Sequence, residues 1–238
     1  MKEALITGAS RGIGREIAKA LAHNGYSLHL ICEKNVTELI NFSSKLSDEC
    51  HVPVIPHQAD VADFKAMSEI FKDINNLDVL INNAGISYVG LLHEMSVESW
   101  KRVIDVNLTS VFNTCKLAVP LMLKKHSGSI INISSVFGAN GASMEVAYSA
   151  SKGGINAFTK ALGRELAPST ISVNAIACGF VDTDMNNNLS NEEKEAIRAE
   201  IPADRFAAPA DIADAVMMLL SSPNYLTGQV ITVDGGWT

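Results

Sequence analysis

Tyr148 and Lys152 place a phenol and an amine one helical turn apart, in the stretch VAYSASKGG at residues 146–154. On a helix, positions i and i+4 lie on one face, so both side chains would project into the same space. A charged ammonium favours the tyrosinate and would lower the pKa of Tyr148 from its usual value of about 10. The pair therefore predicts a proton donor for neutral pH, with a chance pair on a solvated helix as the alternative.

Two further polar residues have types that suit a reaction site. Ser135 follows the strand-like segment INIS and precedes Tyr148 by thirteen residues, enough for a turn that returns its hydroxyl toward the phenol. Asn107 stands inside a predicted helix, where asparagine has no propensity advantage. Taken alone, Ser135 also fits a turn residue and Asn107 a buried, hydrogen-bonded amide. No histidine lies near Ser135, so a Ser/His hydrolase triad has little support.

A glycine-rich segment, TGASRGIGREIA, joins the first predicted strand to the first predicted helix. Gly8, Gly12 and Gly14 allow a tight turn, and the helix N-terminus presents amide hydrogens to a phosphate. The spacing is GxxxGxG rather than GxGxxG. Because any strand-to-helix turn can use glycine, the motif alone indicates a nucleotide only moderately.

Polar and small residues follow two more predicted strands. Asp60, in HQADVAD, would offer a carboxylate to an adenine amino group, and NNAG at residues 82–85 would let the backbone approach a ligand closely. Open α/β sheets bind their ligands at the carboxyl ends of the strands. The sequence therefore predicts one site along this edge.

The elements that must position these residues alternate between strand-like and helix-like patterns. Predicted strands are Ala4–Thr7, Tyr26–Cys32, Val52–Pro56, Asp78–Asn82, Ser129–Ser134, Ile171–Ile176 and Gln229–Val233. Predicted helices follow the glycine loop and cover Asp63–Ile74, Val97–Lys125, Val146–Ala167 and Pro209–Leu220. This alternation predicts an α/β protein with a doubly wound parallel sheet, in one domain over residues 1–238. The long polar segment Gly179–Arg205 interrupts this alternation of strands and helices and is predicted to be a lid.

Composition excludes several classes of function. A formal net charge of −7 disfavours a nucleic-acid or anionic-membrane binder. The four cysteines show no CxxC spacing, which indicates free thiols, and the six histidines show no metal-ligand spacing, so no metal site is expected. No signal peptide and no apolar run long enough to span a bilayer are apparent, and we expect a cytoplasmic protein.

The motifs TGASRGIG, NNAG and YSASK, with Asn107 and Ser135 between them, resemble the short-chain dehydrogenase/reductase family in order and spacing. The tail YLTGQVITVDGGWT resembles the same family, so the likeness covers essentially the whole chain. Within the family, VNAIACGFVDTDM and ITVDGG are most similar to bacterial 3-oxoacyl-(acyl-carrier-protein) reductases. The resemblance implies a single-domain Rossmann fold with a mostly parallel, seven-stranded sheet.

The resemblance also implies a role for each site residue. Tyr148 would protonate the substrate carbonyl, Lys152 would lower its pKa and bind the nicotinamide ribose, Ser135 would hold the carbonyl oxygen, and Asn107 would anchor a water linked to Lys152. The residues expected to contact the cofactor are Gly8, Ser10, Arg11, Gly12, Ile13, Gly14, Asp60, Val61, Asn83, Ala84, Gly85, Tyr148, Lys152, Val181 and Thr183.

NADP(H) is the expected cofactor. Many nicotinamide enzymes of this fold bind the 2′-hydroxyl of NAD through an acidic residue after the second strand, where this chain has Cys32. Arg11 is placed to reach a 2′-phosphate. Glu33, if turned inward, would cancel Arg11; if it is turned outward, Arg11 and Lys34 would decide the choice.

The chain departs from the reductase pattern at three positions. Cys178 replaces a proline before Gly179, which affects the path of the lid, and His126 and Ser169 stand where an arginine commonly docks the acidic acyl carrier protein. Reduction of a 3-oxoacyl thioester, linked to acyl carrier protein or coenzyme A, is the leading hypothesis. The alternatives are oxidoreduction of a sugar, polyol or steroid, and a nucleotide-binding sensor without catalysis. A homotetramer built on the helices near 97–125 and 146–167 is expected from the resemblance.

Overall fold

A seven-stranded parallel sheet forms the centre of the computed structural model, which describes residues 1–186 and 189–238. The strands are β1 (Glu3–Thr7), β2 (Ser27–Cys32), β3 (Val54–Gln58), β4 (Val79–Asn82), β5 (Gly128–Ser135), β6 (Ile171–Cys178) and β7 (Val230–Val233). Their order is β3-β2-β1-β4-β5-β6-β7, and each recorded pairing is parallel. The predicted doubly wound α/β fold is confirmed.

Helices cover both faces of this sheet. In the described part of the chain they are α1 (Gly12–His23), α2 (Val36–Cys50), α3 (Phe64–Lys72), α4 (Val97–Ile104), α5 (Ser110–Lys125), α6 (Phe137–Asn140), α7 (Val146–Leu166), α8 (Asn191–Glu200) and α9 (Pro209–Ser221). One core cluster lies between the sheet and α1, α2 and α9, and a second lies between the sheet and α3, α5 and α7. Strands β4 and β6 are buried along their whole length, as expected for strands packed on both faces.

A continuous helical run, Val97–Lys125, joins α4 to α5 through the π-helical segment Asp105–Thr109. The run has 29 residues, and an 18-residue window within it has a mean hydropathy of 1.2, so by length and composition it could cross a membrane and the expectation that no segment could do so is wrong. Half of the apolar window is buried inside the protein, where α5 packs on α3 and α4 on α7. A core helix passes the same test of length and composition.

Helices α2, α6 and α8 were not anticipated by the sequence patterns. Helix α2 follows β2, and α8 lies inside the predicted lid at 179–205, whose residues 187 and 188 fall outside the described part. A capping box starts α8: the Ser190 hydroxyl accepts from the Glu193 amide, and the Glu193 carboxylate accepts from the Ser190 amide. The predicted lid is therefore partly helical.

Strand β3 is one of the two edges of the sheet. It begins two residues later than predicted, and Pro56 pairs in register with Leu30 of β2. Ile55 is 44% exposed, whereas the central strands are buried. Because the strands are parallel, their carboxyl ends all lie along one edge of the sheet. The loops that carry the sequence motifs therefore converge at this edge.

Candidate active site

A cavity of about 380 Å³ runs along the carboxyl edge of the sheet. The predicted site residues that line it are Gly8, Ser10, Arg11, Gly12, Ile13, Asp60, Val61, Asn83, Ala84, Gly85, Ser135, Tyr148, Lys152, Val181 and Thr183. Gly14 and Asn107 do not line it but lie directly behind its wall. The fold thus brings segments more than 170 residues apart in sequence into one groove.

The glycine loop at one side of this groove requires glycine at specific positions. Gly8 and Gly12 have φ values of +67° and +54°, and a Cβ at Gly14 would lie 2.4 Å from the carbonyl oxygen of Gly8. Gly14 therefore lets α1 pack onto the loop. Helix α1 begins at Gly12 with no acidic residue in its first turn, so its amide hydrogens and dipole favour an anion there.

Asn83 braces this loop from the end of β4. Its Nδ2 donates to the carbonyl oxygens of Thr7 (2.9 Å) and Gly8 (3.0 Å), and the Thr7 hydroxyl accepts from the amides of Asn83 and Ala84. The Asn83 side chain is thus occupied by the loop itself. Its backbone, with those of Ala84 and Gly85, lines the cavity.

The shape and chemistry of the groove fit a nicotinamide dinucleotide. Amides of the loop and of α1 lie in its middle, Cys32 and Asp60 lie at one end, and Tyr148 lies at the other. A Cβ added at Gly85 would stand 3.6 Å from Lys152 Nζ, so glycine keeps the space beside the lysine open.

At the end of β5, the buried Ser135 and Lys152 form a cluster with the half-buried Tyr148. Lys152 is 4% exposed; its Nζ donates to the carbonyl oxygen of Ile133 at 2.9 Å and lies 5.4 Å from the centre of the Tyr148 ring. The Ser135 hydroxyl accepts from the Phe137 amide at 3.2 Å and lies close enough to the Tyr148 hydroxyl to hydrogen-bond with it. The structure therefore brings together the three residues expected to act on a carbonyl.

The protonation of this cluster differs from the expectation. Burial raises the pKa of Tyr148 above its usual range, the charges of Cys178 and Glu145 raise it further, and the hydrogen bond with Ser135 lowers it. Burial also lowers the pKa of Lys152 to about 8. The pKa of Tyr148 is therefore shifted upward and not downward as expected, because desolvation of the phenol outweighs the effects that favour the tyrosinate.

Asn107 is fully buried inside the π-helical segment and braces the loop after β4. Its Oδ1 accepts from the Ile86 amide (2.8 Å), and its Nδ2 donates to the Ile86 carbonyl (2.9 Å) and to Ser151 Oγ (3.0 Å). Ser151 in turn donates to the Tyr148 carbonyl oxygen. The amide thus links the loop to helix α7, instead of pointing freely at Lys152.

The opposite end of the groove is charged and half exposed. Arg102 of α4 donates Nη1 to Asp60 Oδ2 at 2.5 Å and Nη2 to Glu33 Oε1 at 3.0 Å. Asp60 Oδ1 accepts from the Ala62 amide, so the carboxylate expected to meet an adenine is already paired. Burial would lower the pKa of Arg102, but the hydrogen bond and charge of Asp60, with Glu33, raise it overall.

Phe137 and Phe180 line the groove, and Trp237 and Phe206 pack against them; these four side chains form the aromatic wall. Trp237 lies edge-on to Phe137 (5.8 Å between ring centres) and to Phe180 (6.3 Å), and its Nε1 donates to Glu200 at the end of α8. Phe180 also packs on Phe206. The C-terminal residues thus connect α8 to the aromatic wall.

Sequence reasoning placed Phe137 in the pocket but missed other lining residues, including Ser87 and Glu145. Ser87 donates to Glu145 at 2.6 Å, although the two are 58 residues apart. Arg102 was missed for the same reason, because it lies 42 residues from Asp60 and 69 from Glu33. In the sequence, the local signal for Arg102 was its position five residues before Asn107.

Comparison with known proteins places the chain in a family. A short chain dehydrogenase profile matches residues 2–194. A 3-oxoacyl-[acyl-carrier-protein] reductase from Staphylococcus aureus is 44% identical, over 99% of this chain and 97% of that protein. A reductase of the same description from Brucella melitensis, solved with bound NAD, has a TM-score of 0.92 at 34% identity and covers 100% of this chain and 91% of its own.

A putative gluconate dehydrogenase from Agrobacterium tumefaciens is also similar in structure. Its TM-score is 0.93 at 31% identity, with 99% of this chain and 95% of that chain covered. The activities named for these relatives therefore differ, although the relatives share one fold and one family. The chain belongs to the short-chain dehydrogenase family and is an oxidoreductase.

Proposed function

We propose that this enzyme reduces a 3-oxoacyl thioester to the 3-hydroxyacyl thioester with NADPH, as in fatty-acid biosynthesis. The observation that carries the proposal is the cluster of Ser135, Tyr148 and Lys152 at one end of the cavity that the glycine loop also lines. Identity of 44% to a 3-oxoacyl-[acyl-carrier-protein] reductase over the full length supports the substrate class.

The raised pKa of Tyr148 suits reduction, because the phenol is then protonated at neutral pH and can act as a general acid. Tyr148 donates its proton to the substrate carbonyl oxygen, to which Ser135 also donates a hydrogen bond. The bound nicotinamide supplies the hydride to the carbonyl carbon. Lys152 in its charged form stabilises the tyrosinate left behind, and solvent restores the proton.

The cofactor would be held by the glycine loop, by the first turn of α1 and by the backbone at residues 83–85, all of which line the cavity. Val181 and Thr183 would hold its carboxamide, and Thr183 Cγ2 lies 3.4 Å from a Cβ built on Gly12, close to the loop. Asn107 acts as a positioning residue through Ile86 and Ser151. NADPH is preferred because Arg11 stands at the edge of the groove and Glu33 is held by Arg102.

Acyl carrier protein is a possible carrier of the substrate, but we expect weak dependence on it. His126 and Ser169 offer no guanidinium for an acidic carrier. Coenzyme-A-linked and carrier-linked substrates should therefore react with similar kcat/KM.

A homotetramer would cover apolar side chains that helices α4, α5 and α7 leave exposed. Val97, Trp100, Phe112 and Val146 are 36–63% exposed. Exposed apolar patches of this kind mark interfaces more often than free surface. Sedimentation of the purified enzyme tests the assembly.

We also assign the enzyme to the cytoplasm. All four cysteines are free thiols, three of them buried. Free thiols are typical of a reducing compartment.

The proposal is tested by following NADPH consumption with acetoacetyl thioesters of coenzyme A and of acyl carrier protein. Turnover of either that is lost in the Tyr148→Phe variant supports it. Absence of turnover with both, alongside good turnover of a sugar, polyol or steroid, would reject the substrate class.

A second candidate is oxidoreduction of another alcohol or ketone. It is favoured by the likeness to a putative gluconate dehydrogenase. A panel of sugar acids, polyols and steroids assayed in both directions decides between the two, because the catalytic cluster would serve either.

A further inference from the structure

We propose that Arg102 determines the preference for NADPH over NADH by holding the carboxylate of Glu33 away from the place of the 2′-phosphate. Arg102 acts as a positioning residue, since it works through another side chain. The inference rests on the proposed cofactor choice and adds the residue that secures it.

Arg102 reaches the groove from α4, on a different element from both carboxylates that it binds. Its two terminal nitrogens are divided between Asp60, which follows β3, and Glu33, which follows β2. A guanidinium can make such a fork because its donors point in fixed directions, whereas an ammonium is a single point of charge.

Glu33 stands where an acidic side chain has the greatest effect on cofactor choice. An acidic residue soon after the second strand commonly binds the 2′-hydroxyl of NAD, and such a charge repels a 2′-phosphate. Cys32, the last residue of β2, cannot do this, but Glu33 is next in the chain and also lines the cavity. Gln58 Nε2 donates to the Glu33 carbonyl oxygen at 3.0 Å, so the backbone is fixed and the side chain decides where the charge lies.

The positive and negative charges named at this end balance only while Arg102 is present. Arg11 pairs with Asp184 at 3.3 Å, and Lys34 has no ion pair within residues 1–186 and 189–238. Loss of Arg102 would remove one positive charge and release two negative ones, on Glu33 and Asp60. A 2′-phosphate would be affected strongly and a 2′-hydroxyl little.

A second effect of Arg102 can be separated from the first. Asp60 is also held by Arg102, and a misplaced Asp60 would weaken adenine binding in both cofactors equally. The Kd values of NADP⁺ and NAD⁺ would then rise together. Only the released Glu33 would change their ratio.

The test measures Kd for NADP⁺ and NAD⁺ by isothermal titration calorimetry on the full chain and on Arg102→Met, Glu33→Gln and the double variant. We expect the ratio of Kd(NAD⁺) to Kd(NADP⁺) to fall about tenfold in Arg102→Met, the effect of one like charge partly screened by solvent. Glu33→Gln alone should leave the ratio within about threefold of wild type, and the double variant should restore it.

Arg198→Met is the matched control, because Arg198 also pairs with two carboxylates, Glu195 and Asp204, but on the lid helix. It should not move the ratio. If Arg102→Met fails to fold, Arg102→Lys keeps a charge that holds only one partner and should lower the ratio about threefold.

An unchanged ratio in a folded Arg102 variant, or a double variant as impaired as Arg102→Met, overturns the inference. A wild type that prefers NAD⁺ contradicts the proposed cofactor instead. Failure of the inference is therefore seen in the variants, whereas failure of the proposed cofactor choice is seen in the wild-type enzyme.

Discussion

The two ends of the groove hold charge in opposite ways. We call the end that contains Asp60 the adenosine end, because Asp60 is predicted to contact an adenine. The ion pairs of Arg11, Glu33 and Arg102 at this end join side chains that are 33–60% exposed. At the reaction end, Lys152 is buried, and its bond goes to a backbone carbonyl. Exposed ion pairs are screened by water and salt. A buried ammonium, in contrast, has a large desolvation cost, and its electrostatic interactions with neighbouring groups are little screened.

This difference indicates that the two ends of the groove have different roles. The adenosine end can select between cofactors through many small, adjustable contributions. The reaction end depends on a few groups whose pKa values are displaced by burial, so single changes there should have large effects.

Tyr148→Phe should give the largest effect, since it removes the proton donor alone. We expect kcat to fall about a hundredfold to ten-thousandfold. Kd for the cofactor, measured by titration, should stay within about twofold of wild type. Tyr225→Phe, on a side chain that is 98% exposed, is the control and should be fully active. More than about a tenth of wild-type activity in Tyr148→Phe would contradict the assignment.

Lys152→Met should also abolish turnover, and it should stabilise the fold. The buried ammonium is disfavoured, as its lowered pKa shows, so an apolar side chain of similar length should add about 1–3 kcal/mol to the free energy of unfolding at pH 7. Urea unfolding measures this. Lys160→Met, on the exposed face of the same helix, should change neither activity nor stability appreciably. A destabilised Lys152→Met would show that the ammonium is instead an anchor for β5.

The pH dependence follows from the same group. Lys152 has a pKa of about 8 in the folded chain, below its ordinary value of 10.5, so its charge is lost as the pH rises through about 8. Reduction should therefore slow above that pH. Stability should move the other way and increase between about pH 8 and 10.5, because the unfolded chain binds the proton more tightly. Profiles of kcat and of unfolding free energy against pH check both signs.

Arg11→Ala should have a smaller effect, at the adenosine end. We expect the ratio of kcat/KM for NADPH over NADH to fall about tenfold, and less in 0.5 M salt, because Arg11 is exposed. Arg11→Lys should keep part of the preference. A ratio that Arg11→Ala leaves unchanged would mean that another cation binds the phosphate.

Trp237→Ala tests the aromatic wall, which belongs to neither charged end. Loss of its contacts with Phe137 and Phe180, which line the cavity, should raise KM for acetoacetyl-coenzyme A about five- to tenfold and leave kcat nearly unchanged, since these two apolar rings lose their support. Tyr225→Ala, on a side chain that is 98% exposed, is the control. An equal fall in kcat would indicate that the wall positions Tyr148.

The smallest effect is expected for the choice of carrier. Coenzyme-A-linked and carrier-linked acetoacetyl substrates should differ less than about threefold in kcat/KM, with little change in salt, because no arginine stands at His126 or Ser169. Comparing both substrates at low and high salt measures this. A strong carrier preference that disappears in salt would show a docking surface elsewhere.

The sequence predicted the sheet well because its strands are short apolar runs ended by glycine, asparagine or serine, as in VLINN and INISS. Helix α8 escaped notice because its segment is polar throughout; the Ser190 and Glu193 capping pair was the available signal. Helix α2 was passed over between two strands.

The site was predicted where motifs are local and missed where contacts are distant. Tyr148 and Lys152 are neighbours on one helix, so their spacing, together with the resemblance of YSASK to a known family, was enough to single them out. Arg102 meets Glu33 only after the sheet has formed, and no local pattern reports that. The pKa of Tyr148 was predicted in the wrong direction because burial is a property of the fold, not of the spacing.

Pro56 on the edge strand has a consequence for the behaviour of the protein in concentrated solution. The Leu28 amide donates to the Pro53 carbonyl, and the Ala59 amide donates to the Cys32 carbonyl. The backbone hydrogen-bonding groups of every second residue from 53 to 59 therefore face β2, and those of Pro56 face away from the sheet. Proline has no amide hydrogen, so a strand arriving from another molecule would find a donor missing at the middle of β3. This edge is thereby protected against strand-by-strand aggregation, even though Ile55 beside it is exposed.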